Sequence, residues 1–349
     1  MSMLSSHDPD SAIRLTDADA ALARLSAVQK GYLQDSFIKS LVPRSHLQPP
    51  RPPLINIGTF VRATAIDELV FQWLQTSANH GKRCQIVSLG AGSDTRFWRI
   101  ATSAHKDALA AYIEMDFPEI TTKKAMAIKK SKEMSAVLGN SVAAHGGMGL
   151  SSGKYHLLPV DLRLPPQDSI DKLLTAESGP ILSPSLPTLL LFECVLVYMT
   201  PAASSAVLRW FCDYISADGG ILGCIVYEMF RLQDNFGRVM VENLRARNVS
   251  LPGAAPYPDM ASLPNRFLGI GFTAAHALTL KEIRKSYIGP SELQRIAQLE
   301  LVDELEELDL VLEHYAITWG IYASQSTLVA DWESQWGLRA KAQPEDEEE

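Results

Sequence analysis

Two hydrophobic periods alternate along this chain. Ile66, Leu69, Val70, Trp73 and Leu74 recur at i, i+3, i+4, i+7 and i+8, the stripe of an amphipathic helix. Short, nearly continuous apolar runs then follow at 86–89, 112–115, 156–160, 188–192 and 221–227. Runs of that kind suit strands buried on both faces, so they predict a parallel sheet with helices above and below it. Helical patterns separate the runs, clearest at 118–138 and 202–214. Another helix is predicted over 17–32, where Leu22, Leu25 and Val28 form a stripe. Residues 43–53 carry five prolines and read as an extended connector, because proline fixes φ and removes a donor. The fifth strand is followed by a helix around 236–247, a Pro/Gly loop near 251–258, and helices near 290–298 and 303–312. Two more apolar runs, 272–278 and 316–322, complete seven strands. The glycine-rich stretch 139–153 reads as a surface loop.

The resulting division is a disordered N-terminus at 1–16, one domain over 17–338 and an acidic tail at 339–349. Within the domain, 17–60 forms a helical cap and linker, 61–230 the nucleotide-binding core, 231–270 an insertion and 271–338 the closing strands and helices. With 349 residues, 46% hydrophobic and 21% charged, the chain has the composition of a globular protein with a substantial core. Its net charge of −8 excludes non-specific nucleic-acid binding, which needs clustered Lys and Arg. Five of those charges sit in Glu345–Glu349, a solvated end. The first residues lack the basic and apolar regions of a signal peptide. The longest apolar run, 186–199, is too short for a bilayer and contains Glu193. These features predict a soluble, cytoplasmic protein that does not engage a membrane. Cys84, Cys194, Cys212 and Cys224 lack metal-ligand spacing, and Cys194 and Cys224 read as small core residues.

Chemistry concentrates where the first predicted strand ends. Gly90-Ala-Gly92 opens a helix start, and the second strand ends on Asp116, 24 residues after Gly92. Strand, glycine turn, helix, strand and acid make a nucleotide-binding βαβ unit. Asp116 can accept hydrogen bonds from two ribose hydroxyls; a turn-forming Asp before Phe117-Pro118 is the plainer alternative. Where a dinucleotide loop favours a third glycine, this one has Ser93-Asp94-Thr95, and Asp94 suits a pyrophosphate poorly. A ligand with a ribose and no phosphate, such as S-adenosylmethionine, fits better. Arg62 precedes Ile66 by one turn on the inward stripe, so its guanidinium either snorkels at the helix start or meets an anion. Glu193 interrupts an apolar strand end, where an unpaired carboxylate costs several kcal/mol, and so points to a site.

The string Leu89-Gly-Ala-Gly-Ser-Asp-Thr-Arg-Phe-Trp-Arg99 resembles the leucine carboxyl methyltransferases. The likeness continues through Glu114-Met-Asp-Phe-Pro118, Val160-Asp-Leu-Arg163 and Leu186–Pro201 with its Glu-Cys-Val-Leu-Val-Tyr-Met segment. It then runs through Tyr227-Glu228, Phe236-Gly237, Glu242–Arg245 and His314-Tyr315, covering roughly 20 to 320. The resemblance implies an α/β class I S-adenosylmethionine-dependent methyltransferase. Its Rossmann-like sheet has seven strands, the last antiparallel, with helices on both faces and an N-terminal helical extension. It implies methylation of the C-terminal leucine carboxylate of the protein phosphatase 2A catalytic subunit, with no metal and no general base.

By the same resemblance Arg62 grips the methionine carboxylate of the cofactor, and Arg24 stands where the family typically has a Lys. Asp161 and Leu162 give the adenine a polar acceptor and an apolar face, although on the residues alone Asp161 reads equally as a loop cap. Glu193 contacts the cofactor through its amino group, with Gly90, Gly92 and Asp116 completing the set. Tyr198, Tyr227 and Arg245 are candidates for the acceptor pocket, or structural residues. The competing readings are an NAD-linked oxidoreductase and a non-catalytic nucleotide-binding module. A relative that modifies a transfer-RNA base carries a β-propeller, and no blade-length repeat is found here.

Overall fold

Nine strands make up the central sheet: β1 (Cys84–Leu89), β2 (Leu109–Asp116), β3 (Val142–Ala144), β4 (Gly149–Ser151), β5 (Tyr155–Pro159), β6 (Thr188–Glu193), β7 (Ile221–Met229), β8 (Ala274–Thr279) and β9 (Tyr315–Ala323). The computed structural model describes residues 10–176, 179–303, 305–324 and 326–341. Of the acidic tail at 339–349, residues 342–349 lie outside them, as do the first nine residues. The spatial order is β3-β4-β5-β2-β1-β6-β7-β9-β8. The five strands from β5 to β7 are mutually parallel, and β9 runs antiparallel between β7 and β8. All seven strands read from the apolar runs are present, with the antiparallel last one in place.

Two further strands correct the reading of 139–153 as a loop. β3 and β4 form a hairpin on the sheet edge, turning at Gly146 and Gly147, both at positive φ. Three residues per strand are too few to show a period. The helix read over 118–138 is two helices, Pro118–Lys130 and Lys132–Leu138, the second capped by Ser131, whose Oγ accepts from the Met134 N–H at 3.3 Å. The N-terminal helix spans Ser11–Gln29, so residues 11–16 are helical rather than disordered.

Alternation along the parallel strands sorts side chains into two cores. In β6, Leu189 and Leu191 face one core while Leu190 and Phe192 face the other; in β7, Ile225 and Tyr227 oppose Cys224 and Val226. Every one of these residues is buried. The first core is covered by the long helix Pro53–Asn79, whose 27 residues span about 40 Å. Pro53 sits in its first turn, where a missing N–H costs nothing. The expected division between residues 60 and 61 therefore falls inside a helix. Near the helix end, Trp73 packs against Trp332 and Trp336 with centroids 4.4 and 4.9 Å away. The Trp336 indole donates to the Leu69 carbonyl at 2.8 Å. A Cβ on Gly223 of β7 would stand 2.5 Å from the Trp73 ring, so only glycine lets helix and sheet meet there.

Trp73→Ala is expected to destabilise the fold by about 3–5 kcal/mol, the range for removing a fully buried aromatic side chain. Urea unfolding measures this, and a loss below about 1 kcal/mol would contradict the packing described.

Candidate active site

The carboxyl ends of β1, β2, β5, β6 and β7 open into a cavity of about 610 Å³, closed over by the N-terminal helix and the start of the long helix. This is where parallel sheets bind ligands, because the loops leaving the strands converge there. Gly90, Gly92, Asp116, Asp161, Leu162, Glu193, Arg24, Arg62, Tyr198 and Tyr227 all line it. Residues scattered over more than 200 positions thus meet around one space.

The glycine turn is built by backbone geometry. Gly90 and Gly92 have φ of 67° and 48°, and a Cβ on Gly90 would lie 2.4 Å from Val195 Cγ2. The Gly92 N–H donates to Asp116 Oδ2 at 2.7 Å, and the Phe117 N–H donates to Oδ1 at 2.7 Å. Each carboxylate oxygen keeps a lone pair for a further donor, as two ribose hydroxyls require. Burial pushes the Asp116 carboxyl up to about 6, with the two backbone donors offsetting part of the effect. Asp161 lines the cavity beside Val160 and Leu162 and is held by Arg163. Oδ1 accepts from the Arg163 N–H and Nε at 3.0 and 2.9 Å, and Oδ2 from Nη2 at 2.7 Å. Three of four lone pairs are used, which leaves one for a further donor.

Sequence reasoning missed the centre of the site. The Arg96 guanidinium is almost wholly buried and touches three carboxylates: Asp67 through Nε at 2.9 Å, Asp94 through Nη1 at 2.6 Å and Glu193 through Nη2 at 3.0 Å. Asp94 is therefore turned to Arg96 and also accepts from the Tyr112 hydroxyl at 3.2 Å. Burial alone would raise its pKa, yet Arg96 and Arg99 outweigh that and hold it below the usual range. The expectation that Asp94 repels a pyrophosphate is thus corrected, because its charge is already matched. The signal available was an arginine two residues after Asp94, heading a helix whose next residues, Phe97 and Trp98, are buried.

Arg62 lies nearly three turns inside its helix, so snorkelling at the helix start does not describe it. Its Nε approaches Glu193 Oε2 at 3.5 Å but is buried without a hydrogen bond, and the guanidinium stands 5.2 Å from the Tyr227 ring centroid. Tyr227 in turn stacks on Tyr315 at 5.4 Å. A cation with an unmet donor next to a carboxylate with a free oxygen complements a zwitterionic amino acid. Arg24 is partly spent elsewhere: its Nε donates to Asp35 at 2.6 Å.

Two readings change on the other side. Arg245 is exposed and absent from the lining; Leu244 and Arg247 line the cavity instead, and Arg247 pairs with Asp19 of the N-terminal helix. Cys194 is a lining residue in the left-handed region, φ 55°, rather than a plain core residue. Its N–H donates to the Tyr227 carbonyl at 2.7 Å, which swings the chain off the sheet just beyond Glu193.

Two carboxylates with open lone pairs at one end and an arginine–glutamate pair at the other make a polar ligand site at the carboxyl ends of a parallel sheet. Residues 12–212 match the family model described as leucine carboxyl methyltransferase. The chain is 45% identical over 342 residues to leucine carboxyl methyltransferase 1 of Cryptococcus neoformans var. neoformans serotype D, covering 89% of this chain and 93% of that one. It is 36% identical to the Bos taurus protein of that name, over 89% and 90% of the two chains, and 35% identical to an Arabidopsis thaliana homologue, over 91% and 92%. The chain belongs to the leucine carboxyl methyltransferase family and is a methyltransferase. Among the described residues, no helix is long and apolar enough to cross a membrane.

Arg62→Ala is expected to weaken binding of S-adenosylhomocysteine by about 2 kcal/mol, roughly thirtyfold in Kd, with unchanged thermal stability. Calorimetric titration checks this; equal affinity would remove Arg62 from the site. A second expectation concerns Asp116, whose ionised form accepts hydroxyls. Affinity should be constant above pH 7 and fall below about 6 as the carboxyl protonates. Asp116→Asn should bind weakly with no such step, whereas a wild-type profile flat from pH 5 to 8 would contradict the assignment.

Proposed function

We propose that this protein transfers the methyl group of S-adenosylmethionine to the α-carboxylate of the C-terminal leucine of the protein phosphatase 2A catalytic subunit, giving a methyl ester. The cofactor supplies an electrophilic methyl on a sulfonium. The residues present fit it: Asp116, Asp161 and Leu162 for the adenosine, Arg62 with Arg24 for its carboxylate, and Glu193 for its amino group. The pairing of the Arg62 guanidinium with Glu193 in the cavity lining, 3.5 Å apart, is the observation that carries this fit. A dinucleotide offers no zwitterion to that pair, which weighs against an NAD-linked reaction.

The acceptor side favours an acid already ionised. The hydroxyls and thiol beside Glu193 on that side, Tyr198, Tyr227, Tyr315 and Cys194, are all pushed up by burial, Cys194 to about 12. They stay protonated at neutral pH and donate hydrogen bonds rather than remove protons. Among the described residues, no histidine lines the cavity. A C-terminal carboxylate, with a pKa near ~3.5, needs no base, and what remains is in-line placement against the methyl. Met229, Leu244, Leu280, Val311 and Leu312 give that half an apolar wall suited to a leucine side chain.

Labelled methyl transfer onto the phosphatase catalytic subunit, with and without its terminal leucine, tests the reading; transfer to both or to neither contradicts it. In single-turnover experiments the methyl-transfer rate should be nearly flat from about pH 6 to 8. A tenfold rise per pH unit would show that an acceptor proton must be removed.

A further inference from the structure

Seven arginines line the cavity. Six have carboxylate partners: Arg14 with Glu119, Arg24 with Asp35, Arg62 with Glu193, Arg96 with its three acids, Arg163 with Asp10 and Asp161, and Arg247 with Asp19. Among the described residues, the Arg51 guanidinium is the one lining cation with no ion pair and no hydrogen bond. Its backbone, by contrast, is fixed on both sides. The Arg51 N–H donates to Ser26 Oγ at 2.7 Å, and its carbonyl accepts from Asn56 Nδ2 at 3.1 Å. Ser26 and Asn56 are both buried, and Asn56 is tied further to Glu300 at 2.7 Å. Pro52 and Pro53 then stiffen the entry into the long helix.

We infer that Arg51 grips the acceptor carboxylate that is to be methylated. A preorganised backbone carrying an unmatched guanidinium fork is a site for a planar two-oxygen anion. The cofactor carboxylate already has Arg62, which lies about 13 Å along the axis of the helix that begins at Pro53, two residues after Arg51. Between the two cations lies an apolar stretch: Leu54 and Ile55 on the helix, Leu280, and Leu312, whose Cδ2 stands 3.9 Å from where a Gly58 Cβ would be. A leucine side chain on that stretch leaves its carboxylate between the arginines. The surrounding cations are already matched, so the half-buried Arg51 is the one left to pair with a terminal carboxylate, and a neutral terminus forgoes that pair.

This assignment rests on the proposed acceptor. Its test compares the phosphatase catalytic subunit ending in a free carboxylate with the same subunit already methyl-esterified, both binding to the full chain saturated with S-adenosylhomocysteine. Wild type should bind the free carboxylate at least tenfold more tightly than the ester. Arg51→Ala should lose that discrimination and raise KM for transfer at least tenfold, with S-adenosylhomocysteine affinity within twofold of wild type, which also reports an intact fold. Arg51→Lys should recover part of the discrimination, as charge without the fork. Discrimination that survives in Arg51→Ala overturns the role of Arg51 and leaves the acceptor reading standing. A tenfold loss of S-adenosylhomocysteine affinity would move Arg51 to the cofactor and overturn it too. Wild type that transfers no methyl to the free subunit overturns the acceptor reading and the assignment with it.

Discussion

The Arg96 guanidinium balances carboxylates brought to one point by three different elements. Asp67 comes from the long helix, Asp94 from the glycine loop and Glu193 from the end of β6. Arg99 adds a second cation on Asp67, with Nη2 3.1 Å from Oδ1. Burying three acids without those cations would cost several kcal/mol, so the site can exist only with the arginine in place. The arrangement also leaves Glu193 Oε2 without a hydrogen bond to Arg96, facing Arg62 in the cavity lining. What the ligand meets is the remainder of a nearly balanced set of charges.

The sheet supplies the rigidity that this balance needs. Parallel strands buried on both faces deliver Asp116, Asp161 and Glu193 to one edge, each at or just beyond a strand end. Flexible connections would have to order those groups on binding, whereas here the Asp116 carboxylate is already fixed by two backbone donors.

How much of this was legible follows from the range of the interactions. The seven strands were, because burial on both faces leaves runs that need no partner to be seen. The hairpin at Val142–Ala144 and Gly149–Ser151 was not, being shorter than any period. Residues 11–16 mix polar and apolar positions too few to show a period, and Asp10 provides no side-chain cap, so nothing local marked the helix start. Gly92 and Asp116 were legible as a spaced pair, and one hydrogen bond between them accounts for the spacing. Arg96 was not, because its partners lie 29 and 97 residues away as well as two. Arg245 failed by phase: at 100° per residue, Leu244 and Arg247 share a helix face that Arg245 leaves.

The alternation of β6 makes this enzyme intolerant of a change in chain length at one place. Glu193 shares a face with Leu189 and Leu191 only because an even number of residues separates them. One residue gained or lost inside Thr188–Glu193 would turn the carboxylate into the core of Phe192, Phe211 and Leu222 and strand Arg96 and Arg62 on the other side. The hairpin edge at 142–151 and the insertion after β7 carry no such constraint. Along β6 residues can vary but not their number.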